Sequence, residues 1–248
     1  MNLVGELHDL LLSSTNTVAF TGAGVSTASG IRDFRGKNGI YNDTFHGYRV
    51  EELFGIDLFR NDPTLFYTWA RDFVYALDTF HPCTVHHTLA KLERLGLLSA
   101  VITQNIDRLH TLAGSRTVYE VHGSPHLHHC LDCGRAAPYD AIAPLVRAGT
   151  LPRCPCGGVY KPDIVFYGEP LPEATFQHAL DACRNADLCL VLGSSLTVHP
   201  AAILPEEAYR FGARIVIVND SPTPLDSRAL LRLSDLTECF TELAELLP

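Results

Sequence analysis

Basic residues are scarce in this 248-residue chain: 19 Lys and Arg stand against 28 Asp and Glu, a net charge of −9. That balance argues against a general nucleic-acid or membrane-surface binder, which needs a positive face; only a local basic groove stays open. No apolar run is long enough to span a bilayer. The N-terminal stretch "MNLVGELHDLLLSSTN" lacks a basic start, and Glu6 and Asp9 interrupt its apolar part. It therefore reads not as a signal peptide but as an amphipathic helix with Leu3, Leu7, Leu10 and Leu11 on one face. Internal repeats and low-complexity tracts are absent. What remains is ordinary folded-protein composition, 46% hydrophobic and 19% charged, in a length that suits one large domain with a smaller lobe. The expected compartment is the cytoplasm, with no membrane and no stable nucleic-acid partner.

A disulfide framework is not expected at this size without a secretory signal. Of the eight cysteines, Cys83, Cys183, Cys189 and Cys239 are scattered, and Cys189 in "DLCLVLG" reads as a small buried hydrophobe. The other four cluster: "CLDC" at Cys130 and Cys133, then "CPC" at Cys154 and Cys156. Two cysteine pairs in this arrangement indicate tetrahedral zinc. Four thiolates leave no open position for water, so the metal is structural, one per chain. The second pair is a tight Cys-x-Cys. His128 and His129 are conceivable substitutes for one thiolate; the preferred reading leaves them as surface strand residues.

Also missing is the third glycine of a dinucleotide fingerprint. Residues 20–36, "FTGAGVSTASGIRDFRG", carry Gly22 and Gly24, but Thr27 stands where G-x-G-x-x-G requires glycine. A short apolar run leads into this stretch. Further buried-strand patterns fall at 98–105, 117–123, 187–195 and 214–220, with helical patterns at 85–96 and 173–186 and a broken helix at 201–212. This alternation predicts an α/β fold, a mostly parallel sheet covered by helices on both faces. Two segments leave the rhythm. An aromatic-rich one runs from about 36 to 80, its rings read as core packing. The cysteine-bearing one runs from about 124 to 162. Both read as insertions forming a smaller lobe.

Ligands of open parallel sheets bind beyond the carboxyl ends of the strands. Here those ends read "TGAG", "TQNID", "VHG", "GSS" and "VND", a polar edge suited to a nucleotide. Each element also has a plainer reading. The glycines permit turns, "GSS" can be an N-cap, Asn105 and Asp107 can cap a short helix, and His122 can be structural.

The set "TGAGVSTASGIRDFRGKNGIY", "TQNIDRLH", "VHGS", the four cysteines, "KPDIVFYGE", "GSSLTVHPA" and "IVND", in this order, resembles the sirtuins, the NAD-dependent protein-lysine deacylases. The match spans about residues 17–240. It implies a Rossmann-like NAD-binding domain (1–35, 81–123 and 163–248), a cofactor loop and helical part (36–80) and a zinc-binding part (124–162). The resemblance places Gly22, Ala23, Gly24 and Thr27 along the NAD phosphates and ribose, and Asp33, Phe34 and Arg35 in a mobile loop over NAD. It places Gln104, Asn105, Ile106 and Asp107 around the nicotinamide and its ribose, and Gly193, Ser194, Ser195, Asn219, Asp220, Asp235 and Leu236 toward the phosphates and adenosine. His122 would be the base, with Asn105 beside it in catalysis. Val165, Phe166, Tyr167 and Gly168, with Val198 and His199, would hold an acyl-lysine peptide by strand addition.

The implied reaction is not hydride transfer. The acyl oxygen attacks the ribose carbon that bears nicotinamide, and nicotinamide leaves. His122 then activates a ribose hydroxyl that attacks the resulting imidate carbon, and water completes the reaction to free lysine and O-acyl-ADP-ribose. Two departures stand out: Arg32 where the family usually has proline, and the Cys-x-Cys pair. Family members that favour succinyl or malonyl lysine carry Tyr-x-x-Arg; here Ala70 follows Tyr67 at that spacing and Arg71 comes one residue late. Uncharged acyl groups, acetyl first, are therefore expected. The rivals are an NAD-dependent dehydrogenase, a non-enzymatic zinc-ribbon module and, within the family, mono-ADP-ribosyl transfer at the same NAD site.

Overall fold

The computed structural model describes residues 2–36 and 39–248. Lys37 and Asn38, part of the stretch likened to sirtuins, and Met1 lie outside the described residues. The chain forms two compact units: residues 1–30, 81–121 and 172–248, and residues 31–80 and 122–171. The sequence places the boundaries at 35, 80, 123 and 162. Residues 163–171 group with the second unit, where Val165 N–H donates to His122 C=O (2.9 Å) and Tyr167 N–H to Phe54 C=O (2.7 Å).

The first unit carries a six-stranded sheet. Its order is Ala229–Leu233, Arg214–Val218, Leu188–Leu192, Thr17–Thr21, Ala100–Thr103, Val118–Glu120. Every neighbouring pair is parallel. In order of chain appearance this is sixth, fifth, fourth, first, second, third, the doubly wound arrangement, with its switch point between Thr17–Thr21 and Leu188–Leu192. Alternation builds two cores. Ala19, Val101, Leu190 and Val216 face the helices Leu3–Ser13, Thr84–Arg94 and Leu236–Leu246. Val18, Phe20, Ile102, Cys189, Val191 and Ile217 face the helices Glu173–Arg184 and Ile203–Arg210. Strands buried on both faces need continuous apolar runs, as this sequence has.

Two elements depart from expectation. The helix at 203–210 is unbroken, because Pro205 falls in its first turn, where a missing N–H leaves no bond unmade. The edge strand Ala229–Leu233 and the helix Leu236–Leu246 are additional to the elements the sequence predicts. The strand is half exposed and its "ALLRL" gives no clean alternation.

The second unit holds a three-stranded antiparallel sheet, Ala136–Pro138, Gly123–Cys130, Tyr160–Ile164, and a two-stranded ribbon, Thr44–Phe45 with Tyr48–Arg49. Its core is aromatic. Phe166 meets Phe54, Phe59 and Phe66 at ring-centroid distances of 5.7, 5.4 and 5.0 Å. The aromatics of 36–80 thus pack with one another, as read. Among the described residues no helix is long and apolar enough to cross a membrane.

Candidate functional site

At the switch point the loops after Thr17–Thr21 and Leu188–Leu192 meet backbone to backbone. A Cβ at Gly22 would lie 2.6 Å from Gly193 O, and one at Gly24 2.7 Å from Gly193 Cα. Gly193 itself has φ +58°, and its Cβ would lie 2.6 Å from Val25 N. These glycines are therefore required by loop-on-loop contact, whatever else they allow.

Behind them sits a buried polar network. Ser26 Oγ donates to Asp107 Oδ2 at 2.6 Å, and Asn105 Nδ2 donates to Gly22 O and Ser26 Oγ, both at 3.0 Å. Asp107 Oδ1 accepts the Leu109 N–H, the first amide of the helix Leu109–Leu112, at 2.9 Å; the N-cap position itself is Arg108, so neither Asn105 nor Asp107 is the cap. Burial raises the Asp107 pKa, and the bonds from Ser26 and Leu109 oppose that rise. Gln104 Nε2 donates to Ser194 Oγ (2.8 Å), tying "TQNID" to "GSS". No helix starts at "GSS", so its N-cap reading falls: Ser194 Oγ accepts from Gln104 and from Leu196 N–H (3.3 Å).

Ala23 is half buried, and Thr27 is exposed with its hydroxyl on Gly24 O at 2.8 Å. Ile106 is buried; Ser195, His199 and Asp220 are exposed, and Val198 is half buried. Asn219 is buried, with Nδ2 on Ser221 O at 2.7 Å. Asp235 caps the last helix by accepting the Glu238 N–H at 2.9 Å, and Leu236 packs on the core, so both have a folding role.

A layer not singled out in the sequence lies under these loops. His110 Nε2 is 3.0 Å from Thr21 Oγ1, and the His110 and His86 rings lie 4.6 Å apart. Cys83 Sγ, 3.1 Å from His86 Nδ1, reaches Val25 O at 3.5 Å. Burial pushes the His86 pKa down to about 4 and His110 well below the ordinary range; His110 is further lowered by His86. Helical spacing hides these histidines among apolar neighbours.

In the second unit, His122 is half buried and its C=O is held by Val165 N–H. Gly123 (φ +68°) follows, and a Cβ there would fall 1.9 Å from Asp163 O. The "HG" pair is thus a backbone necessity that fixes where His122 leaves the chain. Phe166 is buried, with its C=O accepting the Glu169 N–H at 3.0 Å; Tyr167 and Gly168 are exposed and Val165 is half buried.

Lys161, also unread, holds this turn. Its Nζ donates to Pro162 O (3.1 Å), Ile164 O (2.8 Å) and Glu169 Oε2 (2.8 Å). That same carboxylate oxygen accepts Phe166 N–H at 2.8 Å. The residues expected to form a loop over the cofactor lie in this unit too. Asp33 Oδ2 accepts Gly36 N–H (2.7 Å), Phe34 packs edge-on to Tyr41 (5.2 Å), and Arg35 pairs with Glu51 (2.9 Å). Arg32, in the proline's place, forks onto Asp43 at 2.7 and 3.2 Å, a charged tether across the base of the loop.

The four cysteine Sγ atoms lie within 4.8 Å of one another, with Cys130–Cys156 at 3.5 Å and Cys133–Cys154 at 3.6 Å. Tetrahedral zinc with Zn–S bonds of about 2.3 Å needs sulfurs about 3.8 Å apart, so the set fits a closed structural zinc site. The short Cys-x-Cys spacing does not prevent it. His128 and His129 stay outside. His129 is exposed and pairs with Asp163 at 2.7 Å, whereas His128 is no surface residue: it is fully buried, its Nε2 2.6 Å from Tyr75 Oη.

The family profile described as the Sir2 family matches residues 22–200. The chain is 44% identical to the NAD-dependent protein deacetylase of Sulfurisphaera tokodaii, covering 95% of this chain and 92% of that protein. It is 43% identical to that of Thermotoga maritima, covering 92% and 91%. It is 42% identical to NAD-dependent protein deacylase 2 of Archaeoglobus fulgidus, covering 90% and 87%. Among solved structures it superposes on a complex of Sir2, p53 peptide and NAD+ with a TM-score of 0.88, at 40% identity and 97% coverage of both chains. The structure of Sir2Tm bound to a propionylated peptide gives 0.89, at 39% identity, covering 99% of this chain and 98% of that one.

Proposed function

This chain belongs to the Sir2 family, and from that premise we propose that it is an NAD-dependent protein-lysine deacylase, foremost a deacetylase. The observation that carries the reading is the buried Asn105–Ser26–Asp107 network at the sheet's switch point, in a chain whose relatives along nine-tenths of its length are NAD-dependent deacetylases.

NAD, the co-substrate, supplies the ribose carbon that accepts the acyl oxygen and the nicotinamide that leaves. The glycine-lined loops at Gly22–Gly24 and Gly193–Ser195 suit its phosphates, and Gln104, Asn105, Ile106 and Asp107 its nicotinamide end. Both Nδ2 hydrogens of Asn105 are spent on Gly22 and Ser26, which leaves its Oδ1 to orient a ligand. Asp107, with an acceptor bond at each oxygen, is held rigid. His122 is the general base: its imidazole takes the proton of a ribose hydroxyl, and its backbone bond to Val165 ties it to the strand we assign to the acyl-lysine peptide. The N–H groups of Val165, Phe166 and Tyr167 are already bonded within the protein, so peptide pairing there falls to the remaining backbone groups of 165–168, and backbone pairing makes few demands on flanking sequence.

Structural features support an uncharged acyl group. Tyr67 is buried, its hydroxyl donating to Tyr160 O at 2.5 Å, Ala70 is buried, and Arg71 is exposed and paired with Asp72 at 3.0 Å. Four metal-binding thiolates and a dinucleotide co-substrate suit a reducing compartment, so we place the enzyme in the cytoplasm.

Mass spectrometry of acetyl-, propionyl- and succinyl-lysine peptides with NAD tests the reading. Free lysine with nicotinamide and O-acyl-ADP-ribose is expected from the first two. ADP-ribosylated peptide without deacylation, or NADH formation, would replace it with transferase or dehydrogenase chemistry.

A further inference from the structure

The loop that follows the strand Arg214–Val218 is locked in place. Val218 O accepts the Gly193 N–H at 3.0 Å, which ties this strand end to the loop assigned to the NAD phosphates. Asn219 N–H donates to Leu233 O (3.0 Å), and Ser221 O accepts both Asn219 Nδ2 (2.7 Å) and Arg232 Nη2 (3.0 Å). Between these anchors stands Asp220, exposed, with Oδ1 accepting the Ser221 hydroxyl at 2.9 Å. Among the described residues Asp220 forms no ion pair, and no donor is bonded to its Oδ2. Arg232, the cation bonded to this loop, is spent elsewhere, with Nε on Asp226 Oδ2 at 3.0 Å. Two residues of chain span at most about 7 Å, so the Asp220 carboxylate lies within a nucleoside's length of the phosphate loop.

We propose that Asp220 sets the choice of dinucleotide: its carboxylate accepts the ribose hydroxyl on the adenosine half of NAD and repels the 2′-phosphate that NADP carries there. The proposal rests on the deacylase reading above and deepens it by naming what the site refuses. Doubly wound sites that take NAD place an acidic side chain on this ribose, whereas those that take NADP offer arginine. Here the strand next to Thr17–Thr21 on one side ends in "TQNID", assigned to the nicotinamide end. Asp220 supplies the acidic group from the other side of the switch point, two strands from Thr17–Thr21. Its Oδ2 is the acceptor for the hydroxyl, and the locked loop keeps the carboxylate from turning away from an added phosphate. A carboxylate about 5 Å from a phosphate of charge near −2 disfavours it by roughly ten- to a hundredfold near a protein surface. The hydroxyl bond that NADP cannot make adds roughly threefold.

The experiment is calorimetric titration of ADP-ribose and of its 2′-phosphate, neither of which carries nicotinamide to lose, on the native enzyme, Asp220→Asn and Asp220→Glu. The readout is the ratio of the two dissociation constants within each protein, so a general loss of affinity cancels. We expect the native enzyme to favour ADP-ribose by roughly thirtyfold or more. Asp220→Asn should shrink that ratio by about tenfold, and Asp220→Glu, which keeps the charge, should fall between the two. A native ratio near one, an Asp220→Asn ratio equal to the native value, or an Asp220→Glu ratio no higher than that of Asp220→Asn overturns the proposal. Turnover of an acetyl-lysine peptide with NAD on the same native preparation separates the two readings: turnover with a discrimination that Asp220→Asn leaves intact defeats this inference alone, and absence of turnover defeats the deacylase assignment.

Discussion

Substituting Gly193 by alanine separates two reasons for a glycine at this loop. The residue sits at φ +58°, where a Cβ costs about 1–2 kcal/mol on its own. Here the added carbon would also lie 2.6 Å from Val25 N, 2.7 Å from Gly24 C and 2.8 Å from Gly24 Cα. All three are backbone atoms, so no side chain can swing aside. The Gly24–Val25 segment must retreat by several tenths of an ångström or more, with strain of about 1–3 kcal/mol, as in other overpacked sites. Gly96 provides the control: φ is +73° and nothing lies within 4 Å of its would-be Cβ. Gly96→Ala should lower Tm by about 2–8 °C for a domain of this size. Gly193→Ala should lower it by roughly 4–20 °C and by more than Gly96→Ala, and raise the KM for NAD by about tenfold or more, because the Gly24 backbone has moved. Thermal melts and steady-state kinetics with an acetyl-lysine peptide read both. Equal Tm losses in the two variants would refute the steric argument. A stable Gly193→Ala that has lost NAD would show that the glycine makes room for the cofactor and not for the neighbouring loop.

Replacing His122 by alanine should cut NAD-dependent deacylation by roughly 10²–10⁴ while leaving Tm unchanged; wild-type-like turnover in the folded variant would remove His122 as base. Elemental analysis of protein purified under reducing conditions should find one zinc per chain. Stripping the metal with a strong chelator should unfold residues 122–171 first, seen as loss of amide-exchange protection there; protection that survives chelation would deny zinc a structural role. Acid should destabilise the fold through His86 and His110. Both have folded-state pKa values below the unfolded value of about 6.5. The unfolded chain therefore binds their protons first, and stability that is complete above about pH 6.5 is lost as pH falls toward about 4, the folded His86 value. Unfolding free energies from urea titrations across that range should decline with falling pH, and His86→Phe should flatten the slope. An identical slope in the variant would assign the acid sensitivity elsewhere.

Much of the fold was open to reading because parallel strands covered on both faces leave a plain signal. "TVAFT", "AVIT", "LCLVL" and "RIVIV" are continuous apolar runs, and the helices between them carry their own period. The half-exposed edge strand Ala229–Leu233 lacked that signal and was missed. Pro205 looked like a break because the first turn of its helix could not be located from sequence.

At the candidate site, the polar residue types and their place beyond strand ends were visible, as was the cysteine set. Their partners were not. That Ser26 bonds Asp107 across 81 positions in the chain, that Lys161 clips the 164–169 turn, or that His128 is buried on Tyr75, depends on contacts between residues distant in sequence. Composition, period and motif spacing are local properties, and they settle the type of the buried strands and amphipathic helices, the metal chemistry and the family. Which glycine is indispensable, which histidine is buried and which carboxylate Arg35 grips are set by how backbones approach in three dimensions. Only the tertiary structure decides them, because a hydrogen bond or a 2.6 Å overlap is a property of two surfaces brought together, not of either segment alone.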